Sequence, residues 1–428
     1  MDEGVRGETH LEILSALYPG DDLDLGEEAM LYHLLSCSPC RERAQAALLE
    51  RHGTNLALPA LGLGILLDEE CDAGIPVDGL VDELLARPRE QHFELLDEPP
   101  FQEGLLVGPL LGRSRQEQLR EPELAEHLAF LAARLAGRTL DDAGLRKALL
   151  RAGLLKGNAR RLAGKLEEAL QALAQEGFLL APLPELARLR RAVGLVRWEQ
   201  GRLEEGAFHL EGAATAFSAA RRRAEEGETL ALLGLLQAEA GLLPQCTGSL
   251  LGGLRLLAAE GRPWLAARAC LTLAGAFASL GCPDEAGHLL RRGRELVRTV
   301  DDPAEATFLY GLEGAALGAL GEAEEACALL RPVRSRHLIE GRLPEAAFAS
   351  LDLALALAEQ GASGEVEGLA RELEAGFPGV PAAFEAAATL RGTRWSDPAL
   401  RRNVEPASLA LRRRFRTQGP RPRPLPFA

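Results

Sequence analysis

The sequence predicts an all-α fold: a right-handed α-solenoid of stacked helical hairpins, preceded by a small helical module. Three observations carry that expectation. Glycines stand at Gly201, Gly241, Gly281, Gly321 and Gly361, a step of 40 residues taken four times. Around each of them, small and apolar residues return in fixed columns. The composition agrees, with 47% hydrophobic but only 4% aromatic residues and 45 glycines. That mixture suits close helices meeting through alanine, leucine and glycine, and does not suit a β-sandwich or barrel.

The columns are specific. Seven residues before each glycine stands Gly194, Gly234, Ala274, Gly314 or Ala354. Five after it comes Gly206, Cys246, Ala286, Ala326 or Val366, and nine after it Leu210, Leu250, Leu290 or Leu330, the column fading at Ala370. A glycine closes one helix in a conformation that a side chain disfavours. Small residues before and after it lie where the two helices cross, and the leucine fills the groove beyond them. Such a hairpin cannot bury its apolar face alone, so neighbours must stack. Together the columns resemble tetratricopeptide repeats, with helices about one turn longer than the usual 34-residue unit. Heat and armadillo repeats have a similar period, but their signature does not place a glycine turn and two small columns in this register. One more unit precedes these: Gly157, Gly164, Ala169 and Leu173 keep the same intervals, with Gly164 lying 37 residues before Gly201. The shorter step coincides with Ala181-Pro182-Leu183-Pro184, a natural helix break.

The sharpest chemical signal lies near the amino end, in His33-Leu34-Leu35-Ser36-Cys37-Ser38-Pro39-Cys40. On a helix, four residues bring His33 and Cys37 to one face. Pro39 favours a turn that carries the Cys40 thiolate to the same point. These are three of the four ligands that a tetrahedral Zn2+ takes. His10 is the preferred fourth, with His52 and Cys71 as alternatives. It opens an amphipathic helix, and a turn at Pro19-Gly20-Asp21-Asp22 returns a second helix carrying His33. Four protein ligands leave no position for water, so such a site is structural and not hydrolytic. A thioredoxin-like pair would need a strand before the helix, and none is indicated.

The His-x-x-x-Cys-x-x-Cys of His33, Cys37 and Cys40, with His10 before it, resembles the zinc-finger of the zinc-associated anti-sigma type. The resemblance covers roughly residues 7 to 50. It implies a small zinc-bound helical module, a possible sigma-factor partner, and cysteines that in some such proteins report oxidation. The whole arrangement is similar to bacterial proteins of unassigned role that join this finger to a tetratricopeptide array.

The expected organisation is therefore a zinc module over 7–50, an irregular linker with short helices over 51–94, and a divergent first repeat or cap over 95–140. Repeats follow over 141–377, then a capping helix and basic segment over 378–412, and a basic, proline-rich tail over 413–428. Within the linker, helix is expected from Val77 and is broken at Pro99-Pro100. Helices are then expected from Phe101 to Arg120, Glu121 to Ala136 and Asp141 to Lys156, and a last short one from Ala382 to Leu390. His92 and His127 are expected as packing or surface residues.

Function classes narrow by charge and by what is missing. The formal net charge of −15 disfavours whole-protein attachment to nucleic acid or to an anionic membrane. Met1-Asp2-Glu3-Gly4 opens no secretory signal, and the most apolar stretch, Leu56 to Leu67, is too short to span a bilayer, so a cytoplasmic protein is expected. Seven cysteines without such a signal argue against a disulfide framework. No phosphate-binding loop, dinucleotide fingerprint or nucleophile elbow is present in the sequence. The expectation is a non-enzymatic adaptor or regulator that holds a protein or peptide in the repeat groove, with the zinc module as staple or second docking face. An anti-sigma-like transcription regulator is the second reading. Nucleic-acid contact through the arginines at 401–402, 412–414 and 416 is the third, weakened because no aromatic platform accompanies them.

Cys37→Ser is expected to release zinc and to unfold the first 50 or so residues while the repeats stay helical. Metal content by atomic absorption checks this, and full zinc occupancy in the variant would exclude the assigned ligands.

Overall fold

The structure is a computed structural model that describes residues 78–99, 101–174, 182–257, 262–378 and 380–392. The expected zinc module over 7–50, with His10, His33, Cys37 and Cys40, lies outside the described residues, as do His52, Cys71 and the segment 393–428. Among the described residues there are seventeen α-helices and no strand. The chain divides at Val193 into two units.

The first unit opens with two short helices, α1 (Asp78–Leu85) and α2 (His92–Leu95). A pair follows, α3 (Val107–Glu117) and α4 (Pro122–Thr139). Helix α3 begins six residues later than the sequence suggests, because Gly104–Leu106 takes a tighter 3-10 turn first. Pro122 starts α4 in the first turn, where its missing N–H costs nothing. Then come α5 (Asp142–Leu162) and α6 (Leu166–Leu173). Asp141 caps α5 by accepting from the Gly144 N–H at 2.8 Å. Leu84, Leu96, Leu110, Leu128, Leu131 and Leu135 are fully buried and form this unit's core. A buried polar chain ties α3 to α5: Asn158 Nδ2 donates to Gln118 Oε1 at 2.7 Å and Arg161 Nε to Asn158 Oδ1 at 2.9 Å.

Helix α7 (Leu183–Glu199) carries the chain into the second unit. There the hairpins repeat: α8 (Leu203–Ala219), α9 (Arg223–Glu239), α10 (Leu243–Leu256), α11 (Pro263–Ser279) and α12 (Pro283–Val297). They continue as α13 (Pro303–Leu320), α14 (Ala323–Ile339), α15 (Leu343–Glu359), α16 (Ser363–Gly376) and finally α17 (Pro381–Gly392). Helices α7, α9, α11, α13 and α15 precede the periodic glycines and are termed A helices; their hairpin partners are B helices.

All five periodic glycines take positive φ, from 68° at Gly241 to 86° at Gly321. Each turn is closed in the same way. At Gly201 the Gly N–H bonds to the Trp198 carbonyl and the Arg202 N–H reaches back to the Arg197 carbonyl, both at 2.9 Å. This is the Schellman arrangement, which satisfies carbonyls that a helix end leaves bare. The same pair of bonds recurs half a step later, at Arg221 and at Gly341. The structural unit is thus a 17-residue helix plus a three-residue turn, and two of these make the 40-residue step.

The small columns lie where the helices cross. A Cβ added at Gly234 would stand 2.6 Å from Leu250 Cγ, and one at Gly314 would stand 2.6 Å from Leu330 Cγ. Gly157 stands in the same relation to Leu173 in the first unit, also at 2.6 Å. Such distances admit no methyl without moving the partner helix. The leucines they receive are buried, from 0% exposure at Leu210 and Leu250 to 5% at Leu290. One continuous core runs from α11 to α17, where Ala383, Ala386, Ala387 and Leu390 close it.

Arg221 holds φ 58° where the equivalent turns hold glycine. A non-glycine residue there costs about 1–2 kcal/mol, partly offset by the unfolded-state entropy a glycine adds. Arg221→Gly is therefore expected to stabilise the array by about 0.5–1 kcal/mol, and Gly241→Ala to destabilise it by about 1 kcal/mol. Urea denaturation of the two variants checks both signs.

Candidate ligand-binding face of the repeats

Consecutive A helices touch one another: α9 meets α11, α11 meets α13, and α13 meets α15. Consecutive B helices make no comparable contact. The A helices therefore form a continuous layer, one face of which the B helices do not cover. On each A helix the residues of that face fall at i, i+4, i+7 and i+11, one stripe of a 3.6-residue period.

Helix α11 presents Arg268, Thr272, Gly275 and Ser279. Helix α13 presents Phe308, Leu312, Ala315 and Ala319, and α15 presents Phe348, Asp352, Leu355 and Glu359. All of these are partly exposed, Ser279 more than the rest, although most of their helix neighbours are buried. The floor is low in the middle, where a Cβ added at Gly275 would stand 3.9 Å from Ala316 Cα and would meet nothing else. Phe308, Leu312, Phe348 and Leu355 supply apolar walls. The Arg268 guanidinium lies 4.3 Å from the centroid of the Phe308 ring, a cation–π contact that holds a charge against the apolar surface. On α9, Glu228 pairs with Arg262 at 2.7 Å, and Glu239 accepts from Trp198 Nε1 at 3.0 Å. The result is a mainly apolar strip with polar groups at fixed points, the composition that small binding faces share.

The remaining candidate residues scatter. Cys246, Cys270 and Cys327 are buried and Cys282 is half-buried, all as free thiols. Burial pushes the Cys246 thiol up to about 12 and that of Cys270 to about 11, the latter opposed in part by Arg292. These are packing residues with little thiolate. Arginines that stand in pairs and triplets among the described helices are engaged there: Arg160 with Glu126 at 2.8 Å, Arg222 with Glu225 at 2.8 Å, and Arg161 within its buried chain. Among the described residues no three His, Cys, Asp or Glu side chains gather in a way that would hold a metal ion. None of their helices is long and apolar enough to cross a membrane.

His92 and His127, 35 residues apart, meet at 3.0 Å between Nδ1 and Nε2. His92 Nε2 lies 2.9 Å from the Arg87 carbonyl and must donate to it, which leaves His92 Nδ1 to accept from His127. Nothing in the sequence pairs them, because they lie on helices of unrelated register. Burial, then the neighbouring His92 and Arg89, hold His127 below the usual histidine range. His337, 2% exposed, is held low chiefly by burial as well. Arg268 and Phe308, by contrast, stand one repeat step apart, and extending the 40-residue alignment by one more column finds them.

No family model matches the chain, and no curated protein matches it at a significant level. Among solved structures, it is similar to a Rap protein complexed with Competence and Sporulation Factor, at 15% identity and a TM-score of 0.51. That alignment covers 68% of this chain and 78% of the other. Aspartyl phosphate phosphatase F from Bacillus subtilis aligns at 14% identity over 89% of this chain and 97% of its own, with a TM-score of 0.49. A signal-transduction ATPase with a tetratricopeptide repeat sensor from Pyrococcus horikoshii aligns at 11% identity over 79% of this chain and 53% of its own, with a TM-score of 0.45. The likeness to the Rap protein is one of fold, and the fold is an all-α array of tetratricopeptide-like hairpins.

Both lowered histidines bind fewer protons folded than unfolded between their folded values and 6.5, so stability rises with pH across that window. Their contribution is complete above about 6.5 and is lost as pH falls below it. Melting temperature is expected to drop between pH 7.5 and 5.5, and His337→Leu, which matches the apolar Val297 and Phe377 one repeat either side, is expected to flatten the drop. Thermal scans of wild type and variant against pH check this.

Proposed function

We propose that the chain is a binding module that acts as an adaptor or regulator, holding a protein or peptide partner on the A-helix face of α9–α15. The observation that carries this reading is the partly exposed apolar strip of Phe308, Leu312, Phe348 and Leu355, crossed by the Arg268–Phe308 contact. Leu312 and Phe348 pack in part against the core and, like Phe308, keep the rest of their surface open on this face. The Rap protein with this fold was solved complexed with Competence and Sporulation Factor, which supports the use of such an array to hold another molecule. In the same reading His10, His33, Cys37 and Cys40 hold a structural Zn2+, which staples the amino-terminal module as their spacing implies.

Affinity capture from native cytoplasm, under reducing conditions with zinc retained, tests the proposal. Phe308→Ala is expected to weaken retention of the bound partner about tenfold, the usual cost of truncating an aromatic anchor. Ile339→Ser, at an 87% exposed site on the B–A turn, is expected to leave it unchanged. A sigma factor retained by wild type and by Phe308→Ala but lost by Cys37→Ser would replace this reading with the anti-sigma-like one. Equal retention by all three chains would overturn both.

A further inference from the structure

We propose that α10 is a release point built into the array, a helix that opens locally while α9 and α11 stay packed on one another. Such opening does not depend on the binding reading above.

Helix stability is the first ground. Helix α10 carries Gly248, Gly252 and Gly253 in its interior. Close approach requires one of them: a Cβ at Gly253 would stand 2.8 Å from the Ala231 backbone nitrogen. The other two are not needed for packing. A Cβ at Gly248 would meet nothing within 4 Å, and one at Gly252 would reach only Leu230 Cδ1, at an ordinary 3.5 Å. Each therefore weakens the helix relative to alanine with no closer contact to offset it. The first turn of α10 also holds no acid to meet the helix dipole, whereas α8 opens with Glu204 and Glu205, α12 with Asp284 and Glu285, and α14 with Glu324 and Glu325.

Fastening is the second. Helix α10 has 14 residues where α8 and α14 have 17, and it stops at Leu256, with Leu257 already extended at ψ 110°. The column to which Leu257 belongs holds Phe217, Val297 and His337, all buried, whereas Leu257 is half-buried. Arginine–glutamate rungs join α12 to α14 and α14 to α16. Among the described residues, the only polar side-chain contact of α10 is internal, from Thr247 Oγ1 to the Pro244 carbonyl at 2.8 Å.

What stays joined when α10 lets go is the third. Helix α9 meets α11 directly in the A layer, so the hairpins before and after α10 are held without it. Segments with few buried apolar contacts open at a lower free energy than the whole molecule, and α10 fully buries only Cys246, Leu250 and Gly253. Opening leaves the A layer free to change its curvature between α9 and α11, and with it the spacing of Glu228 and Arg268 on the face. Cys246 reports the event from within α10. Its thiol is buried and pushed up to about 12, so it forms a reactive thiolate only when the helix opens.

The test alkylates the full chain with iodoacetamide at pH 8, without denaturant, and reads each cysteine by mass spectrometry. Rates are divided by those of the same cysteines in urea, which removes differences in intrinsic reactivity. Cys246 is expected to react at least tenfold faster than Cys270 and Cys327, which are buried in α11 and α14. The variant G248A/G252A is expected to slow Cys246 about tenfold and to leave the other two unchanged. Circular dichroism verifies that it folds. Equal rates at the three cysteines would overturn the proposal, as would a variant that slows all three alike, because the array would then open only as a whole. Hydrogen exchange supplies a second readout, with α10 amides expected to exchange at least tenfold faster than those of α9 and α11. Exchange of α9 in step with α10 would mean that the hairpin opens as one piece, and the release point would fail.

Discussion

The second unit depends on one close approach: a leucine of each B helix from α8 to α14 seated on a glycine or alanine of the A helix before it. With Leu250 Cγ only 2.6 Å from where a Cβ at Gly234 would lie, the two backbones pass nearer than side chains normally allow. That nearness needs the turn to reverse the chain in three residues, which the left-handed glycine makes possible. Turn and crossing are therefore one constraint met at two places, and a change at either moves both. Variation along the array respects this. Where the crossing residue is Ala274 instead of glycine, Leu290 is still only 5% exposed and shares a core with it.

Stacking follows from what the hairpin leaves over. The A helices pack closely on their counterparts in neighbouring hairpins, and the B helices do not. Across the gaps between B helices run Arg294–Glu325, Arg331–Glu365 and Arg334–Glu372, set at nearly the repeat interval. Exposed ion pairs of this kind are worth little individually. The cohesion of the array thus lies in the apolar A layer, and the arginine–glutamate rungs fix register more than they add stability.

How much of this the sequence shows depends on whether a residue obeys the period. Gly201 to Gly361 and the columns at seven before and nine after are legible, because each has a steric reason to recur in every hairpin. The half-step is hidden, because its turns use Arg221 and Gly341 and so break the glycine pattern at one position. The late start of α3 is not legible either, since a 3-10 turn and a helix share the same apolar spacing at Gly104–Leu106. The His92–His127 contact is set by the packing of α2 on α4, which no spacing reports. The candidate face is legible in principle, through the column that runs Glu228, Arg268, Phe308, Phe348, but nothing sets that column apart until the A layer is seen to be uncovered.

That last column separates folding from function within a single chain. Five copies of the hairpin fill the crossing position with Gly194, Gly234, Ala274, Gly314 and Ala354, a choice of two residues that differ by one methyl. The same helices fill the face position with an acid, two bases and two aromatic rings. The crossing is limited because a partner helix of this chain lies against it in every repeat. The face position is crossed by no hairpin partner, so charges and rings both fit there and are met by the chain's own side chains, Glu228 by Arg262 and Arg268 by Phe308.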